Sequence, residues 1–123
     1  MKTISTKSAP EAIGPYSQAI IANGFIFTSG QIALTSDGKF LDEDIKIQTE
    51  QVLKNLSEIL KSGGSSLDKV VKTTIFLADI NDFAIVNEIY SKAFGEHKPS
   101  RSTVGVKSLP KNAKIEIEAV AVI

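Results

Sequence analysis

A chain of 123 residues, 42% of them apolar, has the length of one domain and enough hydrophobic residues to bury one core, so we expect a single domain over residues 1–123. Its fourteen basic and fourteen acidic side chains cancel, which argues against a nucleic-acid-binding protein or a protein of anionic membrane surfaces. The absence of cysteine excludes disulfides and thiolate metal sites, and no apolar run reaches the roughly 18 to 20 residues that span a bilayer, so we expect a cytoplasmic protein.

The first predicted elements are two strands of a hairpin, residues 17–22 and 25–29. They flank Asn23 and Gly24, a pair that tolerates the positive φ angles of a two-residue type I′ turn. Pairing outward from this turn places Gln18 beside Ser29.

A helix is predicted next over residues 45–62. It follows an acidic segment at 42–44 and ends before Gly63 and Gly64. Apolar residues and one threonine recur within it at helical spacing: Thr49, Val52, Leu53, Leu56, Ile59 and Leu60.

The second half of the chain predicts alternating strands and a helix. Residues 69–78 are rich in β-branched and aromatic side chains and predict a strand. Asn81 and Asp82 are expected to cap a second helix that runs to Gly95. Its predicted buried face consists of Phe83, Val86, Tyr90, Ala93 and Phe94. A short strand over 103–107, a turn over 108–112 and a last strand over 115–123 follow.

With one further early strand to which no residues are assigned, the element order is β-β-β-α-β-α-β-β. This order indicates an α+β fold in which one mixed sheet carries both helices on the same face. The last strand has apolar residues on both of its faces, since Val120 and Val122 alternate with Ala119 and Ala121. The face without helices would then expose apolar surface. Loops or a second subunit must cover it, and we infer self-association because the connections are short.

Two charged residues are the strongest candidates for chemistry. Arg101 is the single arginine beside thirteen lysines, and a planar guanidinium can hold a carboxylate through two parallel hydrogen bonds. Chance and function explain this asymmetry equally well. Glu116 lies on the last predicted strand and is a candidate base for a water molecule, although a solvated face is the commoner place for such a residue. The chain has one histidine, His97, which we expect at the surface or as a cap.

Other known site patterns are absent from the sequence. There is no G-x-S-x-G elbow, no phosphate-binding loop, no dinucleotide fingerprint and no zinc or calcium spacing. Ser29 and Gly30 offer a hydroxyl and an approachable backbone, and Tyr16 is by itself more typical of a packing aromatic. We therefore expect a site without a metal or an organic cofactor.

Five segments together resemble one known family almost from end to end. These are AIGPYSQ at 12–18, TSGQI at 28–32, VKTTIFL at 71–77, RSTV at 101–104 and LPKNAKIEIEA at 109–119. The chain resembles the RidA (YjgF) family of reactive intermediate deaminases. The resemblance implies a chorismate-mutase-like α+β fold of the bacillar type, a homotrimer with substrate clefts between subunits, and hydrolysis of enamines or imines of the 2-aminoacrylate and 2-iminopropanoate type to 2-oxo acids and ammonia.

The resemblance also implies roles for individual residues. Arg101 matches the carboxylate-binding arginine and Glu116 the water-orienting acid. The matched pocket positions, which would contact imino or 2-oxo acids, are Tyr16, Ser29, Gly30, Thr103 and, less specifically, Asn87. Thr103 stands where many members have cysteine, which excludes a thiol mechanism here, and the segment 97–100 is shorter than in some relatives.

Two other functions remain open at this point. Endoribonuclease activity with translation inhibition has been ascribed to this family, but dispersed lysines and one arginine make no evident phosphate track. A non-catalytic small-carboxylate-binding or chaperone-like module would use Arg101 equally well. Such a module has no use for Glu116 as a second anion in the pocket.

Overall fold

The computed structural model describes residues 1–123 as eight main elements. They are β1 (Lys2–Ile4), β2 (Ala19–Ala22), β3 (Phe25–Thr28), α1 (Ile45–Ser62), β4 (Val70–Leu77), α2 (Phe83–Phe94), β5 (Ser100–Gly105) and β6 (Ile115–Val122). The predicted α+β order is confirmed. Neither helix combines the length and the apolar character that crossing a membrane requires.

The hairpin of β2 and β3 has the predicted turn. Asn23 and Gly24 have φ angles of 54° and 80°, which are the positive values that a type I′ turn needs at both positions. The register outward from the turn is also confirmed, because the Ser29 N–H donates to the Gln18 carbonyl at 2.9 Å.

Helix α1 begins and ends where its sequence predicts. The Asp44 carboxylate accepts from the Ile47 N–H at 2.9 Å, which caps the N-terminus. The helix ends at Gly63, whose N–H donates to the Ile59 and Leu60 carbonyls. Gly63 is packed so closely that a Cβ atom there would lie 2.5 Å from Ile4 Cδ1 and 2.7 Å from Ile26 Cδ1.

The start of α2 and its buried face differ from the prediction. Asp82 makes no side-chain capping bond, and Asp79 instead accepts from the Asn81 N–H at 3.0 Å, which forms a short 3-10 turn before the helix. Phe83 and Ala93 are exposed, whereas Ile89 is buried with the rest of the helix face. Helix α2 packs mainly against α1, and Tyr90 reaches Thr73 of β4, so the buried side of α2 is narrower than its apolar pattern suggests.

The sheet has the strand order β1-β2-β3-β6-β4-β5, and only the β4–β5 pair is parallel. Both helices pack on one face over a core of 22 residues, as predicted. The predicted strand at 103–107 is wrong in its bounds, because parallel pairing with β4 begins at Ser100 opposite Lys72 and ends at Gly105 opposite Leu77. Arg101 therefore lies inside β5, with its backbone fixed by the ladder.

The face of the sheet without helices, which we call the open face, is partly apolar. Phe25 and Phe27 are 38% and 46% exposed, and they lie opposite Val122 and Val120 of β6. The predicted surplus of apolar surface is confirmed at this end of the sheet, where no loop covers the two phenylalanines.

Candidate functional site

Arg101 lies on the helix side of the sheet, over two aromatic rings. Its register partner is Thr73, whose hydroxyl is 2.7 Å from the Tyr90 hydroxyl of α2. The Arg101 guanidinium carbon is 5.0 Å from the Tyr90 ring centroid and 5.4 Å from that of Phe83, so both rings support the cation. The salt bridges of the chain join Lys61 to Glu58 and Lys92 to Glu88, which leaves the guanidinium without a carboxylate partner.

Two unsatisfied polar atoms accompany Arg101. Asn87 Oδ1 and Thr103 Oγ1 are buried and have no hydrogen-bond partner. Asn87 and Arg101 line one cavity of about 490 Å³, which we call the arginine cavity. Thr103 follows Arg101 by two positions on β5, so both side chains leave the strand on the same face. Buried polar atoms without partners are rare and costly, so each of these two atoms needs a partner that the single chain does not supply.

Burial also raises the pKa of the Tyr90 hydroxyl above its ordinary value, while its hydrogen bond with Thr73 and the Arg101 charge lower it. Tyr90 therefore stays protonated near neutral pH and serves as a neutral support for the guanidinium.

Glu116 lies on the opposite side of the sheet, next to Gly30. Its neighbours Ile115 and Ile117 are fully buried under the helices, so its own side chain leaves β6 toward the open face. A Cβ atom on Gly30 would lie 2.7 Å from Glu116 Oε1, so a larger residue at this position would displace the carboxylate. Burial, and then the nearby Glu118 carboxylate, raise the pKa of Glu116 above its ordinary value. A half-buried carboxylate with a raised pKa is a better proton acceptor than a solvated one.

Tyr16 and Gly30 line the same cavity as Glu116. This space of about 440 Å³, the glutamate cavity, is also bounded by Ile13 and Lys111. Tyr16 is 53% exposed, so it is not the packing aromatic that its residue type alone suggests. Ser29 lines neither cavity, and its hydroxyl donates to the Ser17 carbonyl at 2.6 Å.

The structure thus divides the predicted site residues into two groups on opposite faces of one sheet. Arg101, Asn87 and Thr103 lie on the helix side at the edge strand β5, and Glu116, Gly30 and Tyr16 lie on the open side. One substrate molecule cannot contact both groups within one chain, because the sheet separates them. Gly30 and Thr103, which the family resemblance places in one pocket, are separated in the same way.

Several residues near the cavities were missed from the sequence. Tyr90 supports Arg101, Gln18 and Lys111 line the glutamate cavity, and Glu118 affects the pKa of Glu116. The alternation of Glu116 and Glu118 along one strand was a signal for the last of these. His97 was expected at the surface or as a cap, but it is half-buried: its Nε2 donates to the Val70 carbonyl at 2.6 Å, and it also lines the arginine cavity.

Comparisons with known proteins cover nearly the whole chain. The model of the family described as endoribonuclease L-PSP matches residues 6–123. The chain is 56% identical over 121 residues to Reactive Intermediate Deaminase A, chloroplastic, of Arabidopsis thaliana. This alignment covers 98% of this chain and 65% of the Arabidopsis protein. It is 49% identical over 122 residues to the human 2-iminobutanoate/2-iminopropanoate deaminase. This alignment covers 98% of this chain and 89% of the human protein.

The fold comparison agrees with the sequence comparison. The crystal structure of Escherichia coli TdcF with bound serine matches with a TM-score of 0.95 and 42% identity, over 100% of this chain and 99% of that one. The serine in that structure shows that this relative binds a small amino acid.

Proposed function

Because the chain belongs to the endoribonuclease L-PSP family, the RidA (YjgF) family of the sequence resemblance, we propose that it is a hydrolytic deaminase of 2-imino acids and their enamine tautomers. Two observations carry the proposal: the Arg101 guanidinium has no carboxylate partner, and the half-buried Glu116 carboxylate has a raised pKa. A carboxylate-binding arginine and a base for water are the two groups that this reaction needs.

The chemistry follows from the polarity of the substrate. The carbon of a protonated imine is already electrophilic, so it needs an oriented water and a base more than an activating cofactor. Glu116 takes a proton from the water as it adds to this carbon, and returns that proton to the nitrogen of the carbinolamine, which then loses ammonia. One imino acid and one water give one 2-oxo acid and one ammonia. Arg101 holds the substrate carboxylate throughout, and Asn87 and Thr103 offer polar atoms beside it.

The two residue groups act on one substrate if Arg101 of one subunit meets Glu116 of another. The exposed phenylalanines of the open face support an interface on that side of the sheet, and the family resemblance favours three subunits. We therefore propose a homotrimer of one-domain subunits, residues 1–123, with clefts between them that bind imino acids and their 2-oxo acid products.

The direct test generates 2-iminopropanoate and 2-iminobutanoate in situ from an amino-acid oxidase or a threonine dehydratase. We expect ammonia release to accelerate when the protein is added, and to continue after exhaustive treatment with a chelator. An unchanged rate with every imine tested would refute the deaminase function, and a carboxylate-binding module would then explain the same arginine. Loss of activity on chelation, restored by a divalent ion, would refute the cofactor-free mechanism.

Ribonuclease activity is tested in parallel with a labelled single-stranded RNA. The fourteen basic and fourteen acidic side chains give no net charge to attract phosphates, so we expect no cleavage.

We propose that the protein acts in the cytoplasm, since a chain without cysteine needs no oxidising compartment to fold. Cell fractionation tests this location, because the Arabidopsis relative is named chloroplastic.

A further inference from the structure

The segment that carries Tyr16 over the glutamate cavity is weakly held by its own contacts. Residues 11–16 make no backbone–backbone hydrogen bond to the rest of the chain, and the bond from the Tyr16 N–H to the Gly14 carbonyl, 2.9 Å long, stays inside the segment. Ile13 and Tyr16 are 81% and 53% exposed, so packing does not fix them either. The Tyr16 hydroxyl accepts from the Ile13 N–H at 3.4 Å, which is again a bond inside the segment. The position of the segment relative to the sheet must therefore be set at its two ends.

Gln18 fixes the first end. Its side chain is buried, with 4% of the residue exposed. Oε1 accepts from the Thr6 N–H at 2.7 Å, and Nε2 donates to the Pro10 carbonyl at 2.8 Å and the Thr6 carbonyl at 3.0 Å. A primary amide is the side chain that supplies one acceptor and two donors in this arrangement. Removing it would leave the buried Pro10 carbonyl and two partly buried main-chain groups of Thr6 without these partners, so the start of the segment would be held less firmly to the sheet.

Ser29 fixes the second end. Its hydroxyl donates to the Ser17 carbonyl at 2.6 Å, directly after Tyr16. The Ser29 N–H also donates to the Gln18 carbonyl at 2.9 Å, so the two anchors are paired across the hairpin. Gly30 follows Ser29 and contacts Glu116, so the anchored end of the segment has a defined position relative to the carboxylate.

We propose that Gln18 and Ser29 are positioning residues that hold residues 11–16, and through them Tyr16, at the mouth of the glutamate cavity. This inference rests on the proposed function, in which that cavity supplies the base. In this proposal the Ser29 hydroxyl binds the main chain of its own subunit, whereas the family resemblance implies that Ser29 lines the substrate pocket.

A fluorescence measurement tests the positioning without any assay of activity. The chain has no tryptophan, so Tyr16→Trp creates a single reporter on the segment. We expect Gln18→Met or Ser29→Ala in this background to lower the fluorescence anisotropy and to increase acrylamide quenching by roughly 2-fold. The matched control is Thr49→Val, which removes a buried hydrogen bond of 2.6 Å within α1 and should leave both signals unchanged. Unchanged anisotropy in both anchor variants would overturn the proposal.

Kinetics of the full chain show whether the anchors act through Tyr16. We expect Gln18→Met to lower kcat/KM for imine hydrolysis by about 10-fold, and by less than about 2-fold in a Tyr16→Ala background. Independent, multiplicative losses would contradict action through Tyr16. If Gln18→Met does not fold, Ser29→Ala gives both readouts. A parent protein without deaminase activity would refute the proposed function, and the anisotropy would still decide whether Gln18 and Ser29 position the segment.

Discussion

Arg101 is held between a rigid strand and two aromatic rings, and this determines what its replacement by lysine should do. Lysine keeps the charge but presents a point donor in place of a planar fork, and it loses the stacking on Tyr90 and Phe83. For Arg101→Lys we expect KM for the imine to rise and kcat to fall together, each by roughly 10-fold, because the substrate is both loosely bound and misaligned. Steady-state kinetics measure both. The control Lys107→Arg adds a guanidinium at the surface and should change neither.

Glu116 should affect turnover more than binding. Glu116→Gln keeps the size of the side chain but cannot accept a proton, so we expect kcat to fall by roughly 10²-fold or more. Affinity for pyruvate, measured by calorimetry, should be retained or increase, because an anion beside the ligand carboxylate has been removed. A variant that hydrolyses imine at the parent rate would disprove the role of Glu116 as base and favour a binding module.

The raised pKa of Glu116 predicts the acid side of the pH profile. A base must be ionised to act, so kcat should rise with pH as Glu116 loses its proton. Burial raises this pKa first and the Glu118 carboxylate adds to it, so Glu118→Gln should lower the pKa of Glu116. We expect the acid limb of the kcat–pH profile to move to lower pH in Glu118→Gln, with the alkaline limb unchanged. A shift to higher pH would contradict this electrostatic coupling, and Lys111, which lines the same cavity, would then be the charge to examine.

The C-terminal end of α1 offers a test of packing between elements. Gly63 has a φ of −91°, which any residue can adopt, so an alanine there would not strain the backbone. It would instead clash with neighbouring side chains. Its Cβ would lie 2.5 Å from Ile4 Cδ1 and 2.7 Å from Ile26 Cδ1, so these two buried side chains must shift. We expect Gly63→Ala to reduce the free energy of unfolding by about 1–3 kcal/mol in urea titrations. Ser62→Ala, at an exposed neighbouring position, should change it by less than about 0.5 kcal/mol.

The elements were predictable where local patterns determine them. The Asn23-Gly24 turn and the bounds of α1 depend on φ preferences, capping and periodicity, which are properties of neighbouring residues. The bounds of β5 were not predictable, because its start depends on parallel pairing with β4, far away in sequence. The exposure of Phe83 was missed for a similar reason. Its ring supports Arg101, a partner 18 positions later, and periodicity along α2 does not reveal that contact.

The candidate site shows the same limit. Arg101 and Glu116 could be named from their types and from the family resemblance, but the sequence did not show that a sheet lies between them. The roles of Gln18 and Ser29 also depend on long-range hydrogen bonds, since both reach main-chain groups from eight to twelve residues away. Alternation along β6 predicts that Glu116 and its buried neighbours lie on different faces of the sheet. That Arg101 lies on the helix side follows only from the register between β5 and β4.

The division of the site between two faces makes a prediction for the whole assembly. If each cleft takes Arg101 from one subunit and Glu116 from the next, two inactive single variants can restore each other. Co-expressing Arg101→Ala with Glu116→Gln in equal amounts gives random mixed oligomers, in which about one quarter of the clefts contain both native residues. We expect the mixture to recover about that fraction of the parent activity, while each variant alone stays inactive.

Two controls make this complementation decisive. Light scattering should give a mass near three times the 13.2 kDa of the chain for the parent and for the mixture, so that subunit exchange is meaningful. The double variant carrying both substitutions in one chain, co-expressed with the parent, keeps one quarter of the clefts fully native as well and calibrates the expected recovery. A monomeric mass, or a mixture no more active than its separate components, would refute the shared cleft. The sheet would then separate Arg101 from Glu116 in the working protein, and only one of the two residues could act on the substrate.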